Sequence, residues 1–450
     1  MISISISELK HVVDGQLVAI KDDSVLIHDI CTDSRHIAAQ SLFIALVGET
    51  FDGHNFAQQT VELGAKAVLV SHQIDDQTPQ IIVNNTHQAL GQIAAWVRSK
   101  STAKVVALTG SSGKTSVKEM TAAILSQCGK TLFTKGNFNN DIGVPLTLFR
   151  LTEDDQFAVI ELGANHIGEI AYTTQIVRPH TALINNISEA HLEGFGSLDG
   201  VAQAKSEIFM GLPENGVAIV NLESYRQSWL THLTNKQVVC FSLQQANADF
   251  YAKTIQQSGL TQFILHTPAG EISINLPMLG LHNVSNAIAA SALAMSVGAT
   301  LNQIKVGLES VQAVKGRLYP IHLNENQLIL DDSYNANIGS MTAAIKVLAG
   351  QKGFRVFVVG DMAELGKDSE KLHQQIGEEA KIAKLDCVVS VGKNSAFISQ
   401  FSGVGHHFND KIAATDFLKK ILQQQPTVTL LVKGSRSSKM EEIIHNLSNN

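Results

Sequence analysis

Cysteine is scarce in this chain, with 4 among 450 residues. Cys31, Cys128, Cys240 and Cys387 lie far apart and form no Cys-x-x-Cys pair. That excludes the spacing of a zinc site and a disulfide framework, and it fits a reducing, cytoplasmic setting. Proline is scarce too, 8 residues against 33 glycines, a balance that suits an α/β chain with many tight strand-to-helix turns. A basic excess is missing. The 34 Lys and Arg face 41 Asp and Glu, a net charge of −7, whereas a protein that coats nucleic acid or anionic lipid needs the opposite sign. Long apolar runs are missing as well: the stretch Ala287 to Ala299 carries Ser291, Ser296 and Gly298 and falls short of the roughly 20 residues of a bilayer span. The start, Met1 to Ser7, alternates like a strand and lacks the basic segment of a secretory signal. Neither an internal repeat nor a low-complexity segment stands out. What is present is 44 % hydrophobic and 17 % charged residues, enough apolar material for several cores, and a length that at about 150 residues per domain suggests three.

Three textures divide the chain at 1–84, 85–315 and 316–450. The first mixes a short helix over 7–13, strand-like runs at 17–20, 25–30 and 42–46, a helix near 56–63 and the run Ala67-Val68-Leu69-Val70. The second opens with an amphipathic helix over 87–98. Lys104 to Thr109 then reads as a buried parallel strand, followed by a helix over 116–127. Strands at 157–162 and 181–187 and helices near 198–210 and 284–297 complete it. The third alternates strands (328–330, 355–359, 387–391, 428–432) with helices such as 369–384 and 411–423. Such alternation is the mark of an open parallel sheet covered on both faces, with ligands beyond the carboxyl ends of the strands.

The strongest chemical signal is Thr109-Gly110-Ser111-Ser112-Gly113-Lys114-Thr115-Ser116, between a buried strand and a helix. The glycines let the backbone bend tightly and turn N–H groups toward a phosphate chain, and the helix N-terminus adds partial positive charge. Lys114 then reaches the β- and γ-phosphates, and the Thr115 hydroxyl suits Mg²⁺. The general motif G-x-x-x-x-G-K-[ST] would put its first glycine at Leu108, but here it is Gly110, a tighter G-x-x-G-K-T. That argues against GTPases and motors more than against nucleotide binding. Glu161, at the carboxyl end of the next strand, stands where a Mg²⁺ carboxylate belongs. Spacing alone promotes neither His191, in a Gly-rich loop, nor Lys205, on a helix. Asn137, Asn139 and Asn140 suit a sugar or peptide ligand, or a plain turn. Arg317, at the second boundary, suits a transferring phosphoryl group or a solvated linker. Asp332 and Asn335 fall in a carboxyl-end loop. The basic residues of Lys433-Gly434-Ser435-Arg436-Ser437 suit phosphate or carboxylate, or a capped helix start. In the first region, Ser34 and Arg35, and Thr50, Phe51, Asp52 and Gly53, form loop clusters suited to a second phosphate-bearing ligand.

In order, the strings TDSR, LFIALVGETFDGHNF, LTGSSGKTSVKEM, GNFNNDIGVPLTL, ELGANHIGEI, AHLEGFGS with AKSEIF, LGLHNVSNA, KGRL, DDSYNAN, GDMAELG and KGSRSSKMEE resemble the Mur ligases of peptidoglycan assembly over essentially the whole chain. The short GxxGKT loop is the form that family uses, and the DNPR-like string of its diaminopimelate-adding members is absent. The resemblance implies an α/β enzyme of three domains: a mixed N-terminal domain for a uridine diphosphate substrate, a central P-loop-type parallel-sheet domain for ATP, and a C-terminal Rossmann-like domain for the incoming amine. It implies that Lys114 and its loop hold the phosphates, that Thr115 and Glu161 bind one Mg²⁺ and His191 a second, and that Lys205 is carbamylated. Asn283 and Asn286 then border the adenine, Asp332 and Asn335 lie near ribose and phosphate, and Arg317 meets the γ-phosphate. The implied reaction is an ATP-dependent amide ligation through an acyl phosphate, with UDP-N-acetylmuramoyl-tripeptide and D-alanyl-D-alanine as substrates. A cytoplasmic monomer is expected, with no nucleic-acid partner and no membrane insertion. An acyl phosphate hydrolyses in open water, so the C-terminal domain is expected to swing shut about hinges near residues 84 and 315. Two rivals remain at this stage: a folylpolyglutamate-type ligase with another amine acceptor, and a non-ligase P-loop NTPase that needs no amine.

Overall fold

The computed structural model describes residues 1–189, 192–224, 227–258 and 260–448. Val105, Val106, Ala107 and Leu108 are all fully buried. Apolar side chains on both faces of one pleat require cover on both sides, and Lys104–Thr109 accordingly lies inside a nine-stranded sheet. Its order is 270–276, 260–267, 250–258, 237–242, 217–221, 181–184, 104–109, 157–161, 131–133. Strands from 131–133 through 250–258 run parallel, and the last two are antiparallel. From 104–109 the chain goes out to the edge strand 131–133, returns to 157–161, then crosses to 181–184 on the other side. Strand order therefore reverses at the carboxyl end of Lys104–Thr109, the crevice where open sheets bind ligands.

The first region forms a five-stranded sheet in the order 16–18, 80–82, 67–70, 41–44, 29–31, with only the 16–18 edge antiparallel. The alternating start yields a strand of just Ile4–Ser5, because the Ser5 hydroxyl accepts from the Glu8 N–H at 3.1 Å and caps helix Ile6–Val13. The run 25–30 likewise splits into Leu26–Ile27 and Asp29–Cys31. In the third region the order is 319–324, 327–332, 428–433, 354–360, 387–391, 405–408, parallel but for the first. Helix Ile338–Ala349 and helix Ser369–Ile382 pack on one face, and helices Lys411–Gln424 and Glu441–Ser448 on the other. The four cysteines are unpaired, and among the described residues no helix is long and apolar enough to cross a membrane.

The apolar core runs without a break across residue 84. Leu9 of helix Ile6–Val13 and Ile44, Leu69 and Ile81 of the first sheet pack in one cluster with Leu90, Ile93 and Val97 of helix Thr86–Lys100 and with Val105 and Ala107 of the central strand. The Trp96 indole N–H also donates to Glu8 Oε1 at 2.8 Å. Movement about residue 84 would tear this core, whereas the third sheet has cores of its own. The packing therefore favours the expected junction near 315 over the one near 84 as a hinge.

On the far side of the central sheet, helix Leu301–Ser310 crosses helix Lys114–Ser126 at Gly307, where an added Cβ would lie 2.4 Å from Ile124 Cα. Only glycine lets the two backbones approach so closely. Gly307→Ala should overpack this contact by about 1–3 kcal/mol and lower the melting temperature in scanning fluorimetry. An unchanged melting temperature would contradict this account of the crossing.

Candidate functional site

The phosphate loop leaves the strand at Gly110 and enters helix Lys114–Ser126 at Gly113, which has φ +74° and provides no side-chain cap. A Cβ there would sit 2.5 Å from Asn286 Oδ1 and 2.7 Å from Asn185 Nδ2. Glycine is thus required twice over, for the left-handed turn and for the close approach. Asparagines hold the loop from beneath. Asn186 Oδ1 accepts from the Ser112 N–H at 2.9 Å, and its Nδ2 donates to Ser112 O at 3.0 Å. Asn185 Nδ2 donates to Ser112 O and to Asn286 Oδ1, both at 3.0 Å, and Asn286 Nδ2 donates on to Asn283 Oδ1 at 3.2 Å. Asn283 and Asn286, the expected adenine positions, are buried in this structure and brace the loop. Thr109 Oγ1, Asn185 Oδ1 and Ser188 Oγ, all at the loop, are buried without a hydrogen-bond partner, as suits a place built to meet a polar ligand. Ser111 is buried too, its Oγ donating to Ser188 O at 3.0 Å, and Ser116 is buried on the helix.

Lys114 Nζ donates to Gly110 O at 2.8 Å. Burial lowers the pKa of Lys114 and the neighbouring Arg317 adds to this, while Glu161 opposes it. Lys205 is 1 % exposed, its Nζ 5.6 Å from the centre of the Phe195 ring. Desolvation, and then the Lys114 charge, push its amine well below the ordinary lysine range. Glu161, 2 % exposed, ends strand Phe157–Glu161. Its Oε1 accepts from Asn139 Nδ2 at 2.8 Å and its Oε2 from Thr115 Oγ1 at 3.3 Å. Glu161 and Thr115 together are an all-oxygen pair beside a phosphate loop, the donor chemistry Mg²⁺ takes when waters and phosphates supply the rest. Among the described residues no group of three His, Cys, Asp or Glu could hold a metal. His191, the second expected metal ligand, lies outside the described residues.

The third region closes the site from above. Arg317 lies 4.4 Å over the Tyr334 ring, a cation–π contact worth roughly 0.5–2 kcal/mol. Asp332 Oδ2 accepts from Lys433 Nζ at 2.6 Å and its Oδ1 from the Leu318 N–H at 3.2 Å. Asn335 is exposed, and its Oδ1 accepts from the next residue's N–H at 2.9 Å. Asn337 Nδ2 reaches across to Ser111 O at 3.1 Å, and the Glu193 N–H donates to Glu364 O at 3.2 Å. These hydrogen bonds tie the C-terminal region to the central one, the first of them at the nucleotide loop.

The remaining expected residues fall into three further loops. Asn139 holds Glu161, and Asn140 Oδ1 accepts from the Gly143 N–H at 2.8 Å, so two of the three asparagines are committed within the protein. Asn137 is exposed. In the first sheet's loops, Arg35 forks onto Asp33 at 2.8 and 2.7 Å with Ser34 between them. Thr50 and Phe51 are exposed at the tip of a second loop, whose Gly53 packs against the Leu46 backbone. Asp52 Oδ1 accepts from His54 Nδ1 at 2.6 Å, and His54 Nε2 accepts from the Ser71 N–H at 2.9 Å. The resulting Asp–His–Ser row is a brace: the ring nitrogen facing Ser71 is taken by a backbone donor and is not available as a base. Sequence reasoning passed over Asn185, Asn186, His282, Tyr334 and Asn337. The one signal for the first pair was the polar end of an apolar strand.

Family models match all three regions: the "Mur ligase family, catalytic domain" over 26–98, the "Mur ligase middle domain" over 108–294 and the "Mur ligase, glutamate ligase domain" over 316–436. The chain is 56 % identical to the UDP-N-acetylmuramoyl-tripeptide–D-alanyl-D-alanine ligase of Escherichia coli K12, covering 100 % of this chain and 99 % of that one. Its identity to the enzyme of the same name from Haemophilus influenzae is 50 %, over 99 % of each. A crystal structure of MurF from Acinetobacter baumannii superposes with TM-score 0.95 at 40 % identity, over 100 % of this chain and 99 % of that one.

Burial, helped by the Lys433 charge and opposed by Asp332, pushes His282 down to about 4 from 6.5. Between these values the unfolded chain takes up a proton that the folded protein refuses. This stabilisation is therefore complete above the unfolded value and is lost as pH falls through the window. Melting temperatures measured from neutral pH to the lower limit should fall more steeply for the wild type than for His282→Gln. Parallel curves would refute this assignment.

Proposed function

The chain belongs to the Mur ligase family, and from that membership we propose that it joins D-alanyl-D-alanine to UDP-N-acetylmuramoyl-tripeptide, with ATP converted to ADP and phosphate. The single observation that carries the reading is the convergence on Lys114 of Arg317, Lys205 and Glu161 at a glycine-bent loop. It has the charge of a site that moves a phosphoryl group and the cross-domain geometry of one that must shut. The same-name relatives favour this acceptor over the folylpolyglutamate-type one, and a non-ligase NTPase has no use for the third sheet.

The peptide's terminal carboxylate is a poor acylating agent. Attack by its oxygen on the γ-phosphorus breaks the bond to ADP and forms an acyl phosphate. The dipeptide's amine then adds to the acyl carbon and loses a proton, and inorganic phosphate leaves as the amide forms. In this reading the loop N–H groups and Lys114 orient the phosphate chain, and Arg317 offsets charge on the moving group from the opposite domain. Thr115 and Glu161 would hold one Mg²⁺ and His191 a second, and a carbamylated Lys205 would add an oxygen ligand; the metal would neutralise phosphate charge. Asn139 keeps the Glu161 carboxylate turned toward Thr115. The loops at Ser34–Arg35 and Thr50–Gly53 take the uridine diphosphate end. Closure about residue 315 keeps water from the acyl phosphate.

A buried ammonium beside Lys114 is repelled, whereas the neutral amine that burial favours is a nucleophile toward CO₂. Addition of its nitrogen to the carbon, with loss of one proton, gives an anionic N-carboxylate. Protein incubated with ¹³C-bicarbonate should show a carbamate resonance by NMR that Lys205→Gln lacks; no labelled signal in the wild type would remove Lys205 from the metal site.

Product mass and phosphate release should both require UDP-muramoyl-tripeptide and D-alanyl-D-alanine together. Lys114→Ala should cut turnover at least about hundredfold, the scale of losing one charge-stabilising group. Joining at an undiminished rate by that variant, or full phosphate release without the dipeptide, would overturn the assignment.

A further inference from the structure

Lys433 has no part in the chemistry described above. It ends strand Val428–Lys433 in the middle of the C-terminal sheet and is 2 % exposed. Its Nζ donates to Asp332 Oδ2 at 2.6 Å and to Asn335 O at 2.9 Å. An ammonium this deep is costly to desolvate, and a packed apolar side chain of similar volume would often serve stability as well. Its placement therefore points to a job other than holding the fold.

The far oxygen of the same carboxylate shows what that job is. Asp332 Oδ1 accepts from the N–H of Leu318, a non-glycine residue held at φ +51°. Residues in that region are strained and persist where their surroundings over-determine them. On the other side of Arg317, Gly316 has φ +80° and its carbonyl accepts from the Tyr334 N–H at 3.3 Å. The Tyr334 ring then lies under the guanidinium, 4.4 Å away. Both neighbours of Arg317, and its side chain, are thus pinned to the 332–334 loop of the C-terminal sheet, while its charge is felt at Lys114 in the central one.

We propose that Lys433, acting through Asp332, and Tyr334 are positioning residues that hold Arg317 in the pose in which it meets the terminal phosphoryl group, so that the arginine travels with the C-terminal domain. This rests on the reading of Arg317 as a γ-phosphate contact, and it adds two residues to that reading. The Asp332 carboxylate, with both oxygens engaged, links strand Val428–Lys433 to the interdomain junction.

The test is a double-mutant cycle with a binding readout. Calorimetry on the full chain gives the affinity ratio between a non-hydrolysable ATP analogue and ADP, which isolates the contact to the terminal phosphate, and steady-state kinetics give kcat and KM. Lys433→Met should lower that ratio and kcat by at least about tenfold while leaving KM for the UDP-tripeptide within about twofold, and Lys433→Arg should recover part of the loss. In the Arg317→Ala background, Lys433→Met should add nothing further. Tyr334→Leu, which leaves the buried ion pair intact, should show the same non-additivity and covers the case in which Lys433→Met does not fold. Fully additive losses, or an unchanged triphosphate preference in folded Lys433→Met or Tyr334→Leu, would overturn the positioning role. A normal triphosphate preference in Arg317→Ala itself would instead remove the γ-phosphate reading beneath it.

Discussion

Positive charge crowded around Lys114 is the constraint on which the rest of the structure depends. Its ammonium shares a largely dehydrated place with Arg317, Lys205 and one carboxylate, Glu161, and both lysines are held below the ordinary lysine range. Such a cluster is unfavourable by itself, because desolvation and like-charge repulsion add. In the proposed reaction a triphosphate, together with the Lys205 carbamate, supplies the missing negative charge. The surrounding architecture holds these groups where repulsion would spread them: the asparagine brace beneath the loop, the hydrogen bonds that orient Glu161, and the pinned junction that carries Arg317.

The same charge pattern explains why the chain needs a third sheet. Arg317 is anchored by its neighbours to the C-terminal loop yet acts at the central one, so the complete set of charges exists only while the two sheets are together. Asn337 strengthens the coupling. Its Oδ1 caps helix Ile338–Ala349 at 2.9 Å, and its Nδ2 donates to the phosphate loop at Ser111 O. A single side chain thus joins a helix start in one sheet to the ligand loop of the other. The first sheet is tied differently. It shares an apolar core with helix Thr86–Lys100, so the loop carrying Phe51 and the nucleotide loop form one continuous body.

Some of this was legible in the residues alone. Strands Lys104–Thr109 and Cys387–Val391 were readable because a run of buried apolar residues between turns has one interpretation in an α/β chain. The antiparallel strands Leu260–Thr267 and Gly270–Leu276 were passed over, although their alternation of apolar and polar residues is that of a half-buried strand. The glycines at 110 and 113, Lys114, Thr115 and Glu161 stood out through a motif whose backbone and charge requirements are local. Lys433 and Asp332, 101 positions apart in the chain, showed only as polar residues at strand ends.

By itself, the order of residues determined the composition class, the phosphate loop and the family, since each depends on neighbours in sequence or on strings long enough to be specific. Only the tertiary structure decided that Asn283 and Asn286 brace a loop, that Asn139 turns Glu161 toward Thr115, that one core continues past the boundary at residue 84, and that Lys433 reaches Arg317's junction through one carboxylate. The physical reason is the same in each case. These are contacts between strands and loops whose adjacency is set by sheet order, and sheet order follows from how buried faces pack, which no local stretch of sequence records.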